Sequence, residues 1–141
     1  MNPILIYQKI EALFGDGIDL FPLRFATDPR DLPEDAAYVV CAVSLQAMPD
    51  LEANHTAEAT IEFSLVIPIS ENIDRRATED LFTDFLNELY KNMLPEALND
   101  ADDGENRNVT FYEVSPESVP APEHDNFRIV QSVTFKASVQ F

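Results

Sequence analysis

Residues 127–141 read FRIVQSVTFKASVQF, and this stretch decides the fold. Phe127, Ile129, Val133, Phe135, Ala137, Val139 and Phe141 fall on one side, with Arg128, Ser132, Thr134, Lys136, Ser138 and Gln140 on the other. A period of two sends successive side chains to opposite faces of a strand, so one face should be buried and the other wet. Its 15 residues are about three times the common strand length.

The same alternation recurs over Ala57–Ile67. Ala57, Ala59, Ile61, Phe63, Leu65 and Ile67 face one way, Glu58, Thr60, Glu62 and Ser64 the other, and Pro68 stops the run. Tyr38–Leu45 (YVVCAVSL) is β-branched and apolar on both faces, the pattern of an interior strand. Val109–Val114 predicts a short fourth strand, followed by a proline-rich excursion over Ser115–Asp125.

Two segments carry helical spacing instead. Pro3 opens a run with Ile4, Tyr7, Ile10, Leu13 and Phe14, which Gly15 and Gly17 stop, with Asp16 between them in a helix-ending turn. Residues 74–94 pair Leu81–Phe82, Phe85–Leu86, Leu89–Tyr90 and Met93–Leu94 every four residues, making one broad apolar stripe. Asp74 or Thr78 is placed to cap its start, and Pro95 to end it. Residues 18–37, with Pro22, Pro29 and Pro33 among charges, predict an irregular connector. The expected fold is α+β over residues 1–141 as one domain. It is a four-stranded mixed or antiparallel sheet with two helices packed on one face, the long helix supplying a crossover between strand pairs.

The 141 residues suit one core, and 45% apolar composition with ten Phe can fill it. Against nine Lys and Arg stand 26 Asp and Glu, a net charge of −17. Phosphate binding draws its free energy from Lys and Arg, so the charge argues against a nucleic-acid-binding or anionic-membrane surface. The halves carry −8 and −9, with the acids scattered rather than laid in a row or gathered in a tail. No secretory leader pattern and no apolar run of spanning length is present, which leads to the expectation of a soluble chain made in the cytosol.

Chemistry-bearing motifs are sparse. Cys41 is alone and sits in an apolar run, so it pairs with no second thiol and reads as a small core residue. The acidic loop Asn99–Asn108 fails as an EF-hand. With Gly104 at the sixth position, Ala101 and Thr110 stand where the third and twelfth ligands belong. His55 and His124 lie in polar loops without a metal partner nearby, no G-x-S-x-G elbow occurs, and three glycines build no phosphate cradle. No catalytic residue, cofactor or metal is expected. What is unusual is mechanical, namely long alternating strands whose edges or faces suit contact with a neighbouring subunit.

The layout resembles the tail-terminator (tail-completion) proteins of long-tailed bacteriophages. The likeness rests on a short N-terminal helix, Asp31-Leu32-Pro33 ahead of Tyr38-Val39-Val40, and a long strand ending at Pro68. An acid-rich helix, an acidic loop and the closing alternating strand complete it. The resemblance implies a virion protein of the tail or neck without catalytic residues. It implies a hexameric ring that caps the tail tube, stops its growth and joins the head through a connector or head-completion protein, while DNA slides through an acidic lumen. Heterologous contacts of such a ring direct attention to Met48, Asp50, Glu52 and His55, to Asp100, Asp102, Asp103 and Glu105, and to Glu117 and Glu123. Two alternatives stand beside it, an acidic DNA mimic that occupies a basic site on another protein, and another neck or tail-tube subunit.

Overall fold

The computed structural model describes residues 3–15, 17–19, 21–26, 37–47, 56–68, 75–101, 109–125 and 127–141. In chain order the elements are α1 (Pro3–Phe14), β1 (Gly17–Ile18), β2 (Phe21–Phe25), β3 (Tyr38–Ala47), β4 (Thr56–Pro68), α2 (Arg75–Asn92), α3 (Pro95–Asp100), β5 (Thr110–Pro116), β6 (Glu123–His124) and β7 (Arg128–Gln140). The fold is α+β, as the alternation requires, but the sheet has seven strands rather than four and is strongly curled. Its order is β1-β2-β3-β4-β7-β5, with β6 also on β7. The extra strands come from segments whose prolines argued against regular structure. Pro22 sits exposed within β2, and β6 closes the proline-rich excursion. A third helix, α3, is also added.

Strand length explains the topology. β7 pairs antiparallel with β4 over their whole length, from Thr56 opposite Gln140 to Pro68 opposite Arg128. Its other side is shared, β5 taking Phe135–Gln140 and β6 taking Ile129–Val130. Since β4 and β5 both run antiparallel to β7, they are parallel to each other, and α2 with α3 forms the crossover between them. The β2–β3 pair is also parallel, which makes the sheet mixed.

One face of the long strands forms the core. Ile61, Phe63 and Leu65 of β4 lie buried beside Val133, Phe135 and Ala137 of β7, with Val39 and Cys41 of β3 alongside. Both long helices cover this face. Phe14 of α1 meets Phe63 edge-on at 6.0 Å, and Tyr90 of α2 meets Phe135 at 6.0 Å. Each fully buried aromatic or branched side chain contributes about 1.5–3 kcal/mol, so this layer dominates the stability.

Three helix expectations are corrected locally. Thr78 lies inside α2 and is buried, so it does not cap the helix; Asp74 falls outside the described residues. Pro95 opens α3 as its first residue instead of merely ending α2, which stops at Asn92. Of the apolar stripe, Phe82, Phe85, Leu89 and Met93 are buried, while Tyr90 and Leu94 stay exposed at the helix end. Gly15 does close α1, with φ +69° and its N–H donating to the Glu11 carbonyl at 2.7 Å.

Candidate functional site

The side of β7 away from β4 is lined by β5 and β6 and carries the exposed Tyr112 and Phe127. β5 ends at Pro116, and the Glu117 N–H then donates to the Thr134 carbonyl at 2.8 Å. Three residues on, the Pro120 carbonyl accepts from the Gln131 side-chain amide at 3.0 Å. Gln131 occupies a core-facing position of β7 and is buried. Its amide also donates to the Ser132 carbonyl, which satisfies a polar group that the alternation left out of the core. The proline-rich excursion is therefore pinned along β7 before Glu123 and His124 pair opposite Val130 and Ile129.

A carboxylate then locks the turn into β7. Asp125 Oδ1 accepts from the N–H groups of Phe127 at 2.7 Å and Arg128 at 2.8 Å, while its Oδ2 lies 3.3 Å from Arg128 Nε. The Asp125 N–H donates to the Arg128 carbonyl at 3.0 Å. The Phe127 amide, followed by burial acting the other way and then by Arg128, holds this carboxyl below the usual carboxylate range. The turn points Phe127 outward, and that ring is 79% exposed. The sequence pattern had placed Phe127 on the buried face. The strand begins one residue later, so Phe127 escapes the alternation. Asp125, whose side chain bonds the N–H two residues on, makes an Asx turn, and an Asp ahead of a strand is the local signal for one.

The sequence-predicted contact residues separate into groups. Met48, Asp50, Glu52 and His55, together with Asp102, Asp103 and Glu105, fall outside the described residues. Asp100 is the exposed last residue of α3. Glu117 and Glu123 are both exposed on the outer edge of β7, opposite Thr134 and Val130, about 13 Å apart along the strand. Asp100 follows Asn99, which is bonded to Phe111 opposite Val139, roughly 30 Å from Glu123 along β7. These positions do not form one site.

Asp80, Asp84 and Glu88 repeat every four residues along α2, a row of carboxylates about 6 Å apart. No group of three or more His, Cys, Asp and Glu able to hold a metal is found among the described residues. Cys41 is fully buried, and burial, then the neighbouring Glu62 charge, pushes its thiol pKa far up. No helix among the described residues is long and apolar enough to cross a membrane.

No family model matches the chain, and no curated protein matches it. A solved structure with 17% sequence identity aligns over 100% of this chain and 97% of that chain, with a TM-score of 0.62. That likeness extends to the fold.

Proposed function

We propose that the chain is a structural virion subunit of the tail-terminator (tail-completion) kind found in long-tailed phages. Six copies close into a ring that caps the tail tube and offers the surface to which a head-completion or connector protein binds, without catalysis and without a cofactor. The observation that carries this reading is the Phe127 turn. An exposed aromatic costs solubility, yet four hydrogen bonds and ion-pair contacts of Asp125 hold it in place at the tip of a pinned edge. A rigid aromatic flanked by the exposed Asp125 and Arg128 has the composition of an interface anchor with a polar surround. The net charge of −17 suits a lumen that lets DNA slide without holding phosphate.

The test is to mix the purified chain with uncapped tail tubes of a long-tailed phage. A six-copy mass by native mass spectrometry and caps on tube ends by electron microscopy are expected. Phe127→Ser should fold normally and lose both. A chain that stays monomeric and leaves tube ends growing would overturn the reading.

The carboxylate row of α2 favours a second reading, an acidic mimic of a nucleic-acid backbone. That reading requires tight, strongly salt-dependent binding to a basic DNA-binding protein, abolished by Asp80→Asn with Asp84→Asn.

A further inference from the structure

The two margins of the sheet are finished differently. At the β5 margin, Asn99 bonds both backbone groups of Phe111, Tyr112 forms a bulge, and Pro116 has no N–H to offer. Glu113 and Glu117 add charge there. These are the devices that keep a sheet edge from accepting another strand.

Among the described residues, the β3 margin has few of them. Its pairing with β2 covers only Val39–Cys41, and the Ala26 N–H bonds the Cys41 carbonyl. The Val43 N–H, next on the same side, donates to the Tyr7 hydroxyl at 2.8 Å. A strand directs every second residue's N–H and C=O the same way. The Val43 carbonyl, the Leu45 N–H and carbonyl, and the Ala47 N–H therefore all point off this margin, beyond the end of the β2 pairing. The ten residues of β3 contain no charge and no proline, in a chain where 25% of residues are charged. For a protein of net −17, this is a place where two copies can meet without setting acid against acid.

We infer that the outer edge of β3 over Val43–Ala47 pairs antiparallel with the same edge of a second copy, centred on Leu45. Leu45 of each copy exchanges two hydrogen bonds with Leu45 of the other. Each Val43 carbonyl accepts from the opposite Ala47 N–H, and each Ala47 carbonyl replaces the Tyr7 hydroxyl as acceptor of the opposite Val43 N–H. Ser44 of one copy then faces Gln46 of the other, both on the exposed side of the strand. Such a pairing is two-fold and closes on itself, so it yields a dimer and not a ring. It is separate from the ring contact proposed above. Repulsion between the copies makes the dimer stronger in salt.

The experiment is native mass spectrometry and sedimentation of the full chain over a micromolar-to-millimolar series, with amide exchange followed at Leu45. A dimer is expected whose formation slows Leu45 exchange as concentration rises. Ser44→Lys with Gln46→Lys opposes like charges at two cross-strand pairs. It should weaken the dimer about tenfold, although it makes the net charge less negative by two. Ser44→Glu with Gln46→Lys makes both pairs complementary and should restore or exceed wild-type dimer. A Leu45 amide protected equally at every concentration would mean that the chain covers its own edge, overturning the proposal. A chain monomeric throughout, or a six-copy ring without a dimer and indifferent to both variants, would overturn it as well. In the last case the ring reading stands.

Discussion

The side-chain amide of Asn99 substitutes for a neighbouring strand at Phe111. Asn99 Oδ1 accepts from the Phe111 N–H at 2.8 Å, and Asn99 Nδ2 donates to the Phe111 carbonyl at 2.9 Å. Asn99→Ala leaves both backbone groups without this partner and should cost about 1–2 kcal/mol. Asn99→Asp keeps the acceptor and loses the donor, so it should fall between. Urea midpoints with unchanged slopes check the order wild type, Asp, Ala.

Tyr7 plays a related part at the other margin, where its hydroxyl accepts from the Val43 N–H and its ring lies 4.9 Å from that of Phe25. Tyr7→Phe keeps the ring contact and removes the acceptor. About 1 kcal/mol of stability should be lost, with exchange of the Val43 amide accelerated more than that of Val39. Equal exchange at both would show that the hydroxyl does not hold this edge.

Phe127 and Phe135 should separate assembly from stability. Phe135 is buried against Phe63 at 6.0 Å, and truncation to Ala should cost about 3–5 kcal/mol. Phe127→Ala removes an exposed ring and should change stability by no more than about 0.5 kcal/mol. Thermal melts of the two variants test the contrast.

The Asp125 carboxyl should titrate below an ordinary aspartate, because its charged form accepts the Phe127 and Arg128 N–H bonds. Its folded pKa is depressed, so its contribution to the turn is present above the unfolded pKa and lost as pH falls through the folded one. NMR should show the Phe127 and Arg128 amides moving with the Asp125 carboxyl in that acidic window, and not in Asp125→Asn.

Cys41 should resist alkylation in the folded protein at mildly alkaline pH and react on unfolding, since burial and the Glu62 charge both disfavour its thiolate. Rapid labelling of the native chain would contradict the buried placement.

Gly17 sets a backbone limit beside these side-chain effects. A Cβ there would stand 2.6 Å from the Phe21 carbonyl oxygen, so Gly17→Ala must displace the β1–β2 turn. At Gly15 the space is open and only the positive φ opposes a side chain, about 1 kcal/mol. Gly17→Ala should therefore lower the melting temperature more than Gly15→Ala.

Periodicity alone determined the long elements. The alternation of Ala57–Ile67 and the closing strand, and the four-residue repeat from Leu81 to Met93, each commit one face to the core whatever surrounds them. The α+β class and the helical crossover follow from their order. Short elements were not legible. β1, β2 and β6 have two to five residues, too few for a period to emerge, and prolines mask them. Their pairing is decided by the unmet hydrogen bonds of the longer strands beside them. Residue roles at the margins depended on the same thing. Nothing local distinguishes Asn99 from the other acidic-loop residues, and Phe127 reads as core until the strand start is known. Which backbone groups of the edges are met, Phe111 by Asn99 and the Val43 N–H by Tyr7, and which ring is left outside, at Phe127, are set by distant groups that only the tertiary fold brings within hydrogen-bond reach.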